Sequence, residues 1–337
     1  MLAAVPYLLG FAPSRSLVVL SLRGKQVGLT MRIDLDTPPG ELRKVVVNRL
    51  KADHATKAIL IVFDPEEADA SEAKPGSRIA WPLIGALRRE KFTVKDAMGV
   101  RDGRFWSFLC EEPSCCPPGG RLLPVAGERD HTWVASTFVA MGTAPLRSRE
   151  ELSACVEASP ERLAELAPAF ERAVTQPAAH PLDRWWAAVE RYTVAPPRPG
   201  RTLVDTEVAR LIVSLDRVGV RDEVLSWTAG AEITGVLAVL RELAPCAPPP
   251  YDVQVLASLA WTALSVGEGA LAAVALERAH DLDPEHGLAN LLGAALEGGV
   301  TPEQLRAISS DLSTMSELSA ALRRPETPDV SRNRDER

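Results

Sequence analysis

Near Arg147 the spacing of the apolar residues changes, and this change limits more than any other feature what the chain can fold into. Before that point, short β-branched runs alternate with amphipathic stretches. After it, apolar residues recur every three or four positions, interrupted mainly where proline stands. Side chains return to one face of a strand every second residue and to one face of a helix every 3.6. The expected fold is therefore an α/β N-terminal domain with a mixed sheet over 1–146, then an all-α domain of helical hairpins over 147–322. A chain of 337 residues is long enough for two such units. Residues 323–337 are charged and nearly free of apolar side chains, so a disordered tail is expected there.

In the first half, Ser16 to Leu22 and Val27 to Leu35 read as a β-hairpin, and Glu41 to Ala52 as an amphipathic helix. Ala58 to Phe63 (AILIVF) is apolar without alternation, which marks a central strand covered on both faces. Ile79 to Lys91 repeats the helical pattern. Phe92 to Val100 and Arg104 to Leu109 are strands joined across Asp102-Gly103, a pair suited to a tight hairpin turn. Two hairpins argue against a wholly parallel sheet. Trp133 to Met141 is apolar enough for either a strand or a buried helix, and its periodicity does not choose between them.

In the second half, Pro160, Pro177, Pro181, Pro245 and the run Pro248-Pro249-Pro250 separate helical segments. Thr301-Pro302-Glu303 forms an N-cap with proline at the first helical position. Ala272, Leu276 and Ala279, followed by Asp283-Pro284, resemble the second helix of a tetratricopeptide repeat. They place a repeat-like hairpin near 252–298, although Ala260 stands where the first helix of such a repeat usually has glycine.

Asp and Glu (45) outnumber Lys and Arg (38), which gives no support to a nucleic-acid partner. No run reaches the roughly 20 apolar residues of a membrane span. The apolar opening, Met1 to Gly10, lacks the basic head of a secretory signal and is expected to be folded protein. Five cysteines without such a signal point to a reducing, cytoplasmic setting rather than a disulfide framework.

Three of those cysteines crowd one loop. Arg104 to Cys110 (RFWSFLC) is followed by Glu111-Glu112-Pro113-Ser114-Cys115-Cys116-Pro117-Pro118-Gly119-Gly120. Together with the opening Val5-Pro6-Tyr7-Leu8-Leu9-Gly10-Phe11 and Ser16-Leu17-Val18, this segment resembles the actinobacterial family named only as domain of unknown function 4192. The helices around Ala270 to Pro284 resemble its later part, so the likeness covers nearly the whole chain. It implies no activity and carries over no catalytic residue.

The residues must therefore be weighed directly. Cys110, Cys115 and Cys116 could offer thiolates to zinc, with His131 a fourth ligand, although C-x4-C-C is not a usual zinc spacing. No other cofactor is expected. The same thiols could act in redox exchange, or Cys110 or Cys116 could be a nucleophile with His131 as base and Asp130 or Glu128 to orient it. The plainest alternative is a rigid loop, with Pro117 and Gly119 shaping its turn and the cysteines as small packing residues. Arg32 and Asp34 alternate on one strand, as do Arg104 and Trp106 on another. They could line one pocket for a small anionic ligand, or Arg32 and Asp34 could simply pair. Asp64, after the central strand, opens a carboxylate cluster of the kind that binds ligands at strand ends.

Three functions follow as expectations. The first is a non-enzymatic binding or regulatory protein whose helical half docks a protein partner or a second copy. The second is an enzyme acting on a small polar or nucleotide-like substrate through the cysteine loop, Asp34 or Asp64. The third is a zinc or thiol-redox module at Cys110 to Cys116.

Overall fold

The structure is a computed structural model and describes residues 1–24, 26–64, 74–123, 129–140, 144–194 and 203–322. Helix α1 (Val5–Leu9) leads into β1 (Ser16–Arg23) and β2 (Gln26–Asp34), which form the expected hairpin. Then come α2 (Pro39–Ala52), β3 (Lys57–Phe63), α3 (Ser77–Arg89), β4 (Thr93–Arg101), β5 (Arg104–Ser107) and β6 (Arg121–Leu122). The described strands make one mixed sheet of six in the order β2-β1-β3-β4-β5-β6. β3 and β4 pair in parallel, and every other neighbouring pair is antiparallel.

Local chemistry sets these elements. Asp102 and Gly103 both have positive φ, 48° and 70°, the backbone of the two-residue turn that matches strand twist. β3 is buried at every position from Ala58 to Val62, as an unalternating apolar run requires. The carboxylate of Asp53, just past α2, is also buried. It accepts from the Ser21 hydroxyl and from the Leu29 amide (3.4 Å), tying the helix end to the β1–β2 hairpin.

The sheet has two dissimilar faces. On one, Leu17, Val19, Leu60 and Val62 pack against α2 through Leu42, Val46 and Leu50 and against α3 through Leu83, Ile84 and Leu87. On the other, Val18, Leu20, Ile59, Ile61, Met98 and Val100 share a single core with the helical half.

That half begins after α4 (Arg129–Ala140) and comprises α5 (Arg149–Ala154), α6 (Pro160–Thr175), α7 (Pro181–Val194), α8 (Asp205–Leu215), α9 (Val218–Ser226), α10 (Ile233–Leu243), α11 (Asp252–Val266), α12 (Gly269–Leu282), α13 (Gly287–Gly298) and α14 (Pro302–Leu322). Side-chain caps start several of them. Ser148 and Ser159 accept from backbone amides at the heads of α5 and α6. At the head of α14, Thr301 and Gln304 bond reciprocally, a capping box.

The boundary near residue 146 is not a linker between separate cores. Leu146 donates to the Gly10 carbonyl (2.8 Å) and accepts from Ala12 (2.9 Å), so it is stitched to the amino-terminal segment. The core on that sheet face continues through Leu166, Trp185, Leu211 and Val236 to Leu305. Architecturally the sheet is a middle layer between α2/α3 and the helical half.

Two other expectations are refined. Trp133 to Ala140 is helical, within α4, but not a buried helix: Trp133 is 70% exposed. The hydroxyls of Ser136 and Thr137 bond back to the Trp133 carbonyl, satisfied inside the helix, and Phe138 stacks on Tyr7 with ring centroids 5.0 Å apart. Met141 and the tail 323–337 lie outside the described residues. Over 252–282, α11 and α12 form a helical hairpin that turns at Gly267 with φ 89°. Every residue of α11 from Val255 to Ser265 is buried, so this helix does not line an open groove.

Candidate functional site

The cysteine loop is built from the end of β5. Ser107 is buried, and its hydroxyl donates to Asp96 Oδ1 (3.2 Å) while accepting from the amides of Leu109 (3.2 Å) and Cys110 (3.1 Å). One hydroxyl thus turns the chain out of the sheet, using the local side-chain bonding that lets serine end a regular element. Lys74 Nζ caps the Ser107 carbonyl at 2.5 Å. Six residues after Cys110, the chain returns on a turn in which the Glu112 carbonyl accepts from both Cys115 (3.1 Å) and Cys116 (2.7 Å). The Glu112 side chain also holds Ser114. This turn brings the sulfurs of Cys110, Cys115 and Cys116 within 4.8 Å of one another.

The far side of the loop is held by residues expected to bind ligand. Trp106 Nε1 donates to the Pro118 carbonyl (2.9 Å), and Arg104 Nη1 donates to the carbonyls of Gly119 (3.4 Å) and Gly120 (3.1 Å). Pro117 and Gly120 close a turn (2.9 Å), with Gly120 at φ 72°. A Cβ on Gly120 would lie 2.5 Å from the Trp106 ring. Gly120→Ala is therefore expected to displace Trp106 and to cost about 1–3 kcal/mol, the range for a non-glycine residue in a sparsely populated backbone region. A lowered urea midpoint would report it; an unchanged midpoint would mean that Trp106 does not hold the loop.

Beside the thiols lies a cavity of about 340 Å³, with Lys95, Asp96, Phe105 and Arg121 on its walls. Lys95 and Arg121 are exposed and make no ion pair with any described residue. All five cysteines are free thiols. Within the cluster the thiols differ: hydrogen bonding from Cys116 draws Cys110 below an ordinary thiol, while desolvation and the same contact push Cys116 up to about 11.

The other candidates are scattered. Arg32 and Asp34 sit on β2, with three strands and so four strand spacings between them and Arg104 and Trp106 on β5. At the usual strand spacing this is about 19 Å, too far for one small pocket. Arg32 pairs instead with Asp34, at 3.1 and 2.6 Å, and lies over the Phe11 ring. Asp64 pairs with Arg101 of β4, whose Nε also holds the Asp64 carbonyl (3.0 Å). The rest of that carboxylate cluster, 65–67, lies outside the described residues, as do Glu128 and the side chains of Asp130 and His131.

Sequence reasoning passed over Lys95, Asp96 and Arg121. Their signal was weak: a Lys-Asp pair inside a strand whose following residues are buried, at the point where the β3–β4 register slips between Ala58 and Ile59.

Taken together, the fold and site define an α/β protein with a helical layer on one sheet face and a three-thiol pocket at one sheet edge. A family described as domain of unknown function (DUF4192) matches residues 1–303, and the chain belongs to it. No curated protein and no solved structure matches the chain.

Proposed function

We propose that the protein is a cytoplasmic metal-binding protein that holds a thiophilic ion, zinc foremost, on Cys110, Cys115 and Cys116. The supporting observation is the convergence of their three sulfurs within 4.8 Å. Tetrahedral zinc with Zn–S bonds of about 2.3 Å spaces its sulfurs about 3.8 Å apart, so a closure of about 1 Å completes the geometry. The loop is held at one end by Ser107, which binds the Cys110 amide, and at the other by Trp106 and Arg104, which bind the carbonyls of Pro118, Gly119 and Gly120. Vicinal cysteines are an unusual ligand pair, but the Glu112 turn lets Cys115 and Cys116 both approach Cys110. Thiolates rather than carboxylates favour zinc over magnesium or calcium.

No helix among the described residues is long and apolar enough to cross a membrane. Free thiols, one pair of them adjacent, suit a reducing compartment. Docking of a protein partner along α11 receives no support, because that helix is enclosed.

The test is a titration of the reduced, metal-free full chain with Co2+ under anaerobic conditions. Intense near-ultraviolet sulfur-to-metal absorption, saturating at one ion per chain and displaced by Zn2+, is expected. A chain that shows no such band at millimolar Co2+ does not use these thiols for metal.

A further inference from the structure

The three-thiol site is open on one side, and what lies there has its own chemistry. Among the described residues, no histidine, aspartate or glutamate joins the three cysteines within 4.8 Å. The nearest acid on the cavity wall, Asp96, stands outside that group, and its Oδ1 is occupied by the Ala97 amide (2.8 Å) and the Ser107 hydroxyl. Zinc bound by three protein ligands keeps its fourth position for water or an incoming molecule, the arrangement of reactive rather than structural zinc. All three cysteines line a cavity of about 340 Å³, at the small end of ligand-pocket sizes.

Its walls carry two cations against one carboxylate, that of Asp96. Lys95 comes from β4, and Arg121 from β6 across β5, so two cationic side chains from separate strands meet over one cavity. Neither makes an ion pair with a described residue. The guanidinium of Arg121 presents the planar fork that pairs with carboxylates, and Lys95 adds a mobile point charge. Phe105 and Leu109 contribute apolar wall beside them.

We infer that the fourth metal position takes a small anionic oxygen-donor ligand, a carboxylate, bound to the metal at one end of the cavity and held by Lys95 and Arg121. This rests on the metal-binding function proposed above and assigns the class of ligand that the site accepts. It also gives the sheet edge a purpose that Arg32, Asp34 and Asp64 do not supply, since each of those is already paired.

The experiment uses the Co2+-loaded full chain, whose visible bands report the ligands and coordination number of the ion. Acetate is the probe, and acetamide, of the same shape without the charge, is the control. Acetate should shift the visible bands saturably and acetamide should not. In the Co2+-loaded Lys95→Ala/Arg121→Ala variant, the acetate dissociation constant should rise about tenfold, as for loss of two exposed charge contacts.

Four outcomes overturn the inference. Bands unmoved by acetate, in a protein that shows sulfur-to-metal absorption, would mean that the fourth position is filled by the chain. His131→Ala would then change the spectrum if that histidine fills it, and the metal-binding function would stand. Equal responses to acetate and acetamide, or an acetate constant unchanged in the double variant, would remove the role of the two cations. Absence of any sulfur-to-metal absorption would remove the metal itself, and both proposals with it.

Discussion

Expressed without the rest of the chain, residues 1–146 are expected not to fold. Val18, Leu20, Ile59, Ile61, Met98 and Val100 all lie on the sheet face that the helical half covers, and each is at most 7% exposed. Returning six such side chains to water forfeits roughly 1.5–3 kcal/mol apiece, on the order of 10 kcal/mol together. That equals the whole net stability of a typical domain, about 5–15 kcal/mol. The fragment should therefore lack near-ultraviolet circular dichroism and expose dye-binding surface, while the full chain should unfold in one transition by every probe. A fragment with dispersed amide resonances and its own cooperative melt would show that the sheet face is self-sufficient.

Cys116→Ser is expected to lower affinity for zinc by more than about a hundredfold, beyond the 10–100-fold typical of losing an outer-shell partner. Cys155→Ser supplies the control, since Cys155 is an exposed thiol on a different element, bonded to the Glu151 carbonyl (3.3 Å). Competition against a chromophoric chelator measures both. Equal affinities in the two variants would place the metal elsewhere or nowhere. Cys110→Ser should match Cys116→Ser, because a three-ligand site has no spare sulfur.

What was legible in the sequence was what local chemistry decides. The Asp102-Gly103 turn, the covered strand at Ala58 to Val62 and the Thr301 cap each follow from residues within a few positions of one another. The cysteine cluster was legible for the same reason, since its members span seven residues and one turn closes them. Strand order was not legible. Arg32 and Arg104 both point from strands with polar alternation, and nothing local says that β1, β3 and β4 lie between them. That separation comes from which apolar runs pair at long range, and it dissolved the pocket expected from Arg32, Asp34, Arg104 and Trp106. The period change near Arg147 marked a real change of secondary structure. It did not show that the helices past it would close over the sheet, because a periodicity gives the face that must be covered and not what covers it. For α4, composition suggested burial that its place beside Tyr7 does not provide.

The shared core also sets a schedule for synthesis. The last buried apolar residue on the sheet face carrying Val18 and Ile61 is Val100, yet the cover of that face extends to Leu305. At about 5–20 residues per second, the ribosome needs roughly 10–40 s to make the intervening chain. During that interval the nascent sheet presents an uncovered aliphatic surface, the kind of surface chaperones capture. Slower translation over the helical half would lengthen the exposure of a part already made.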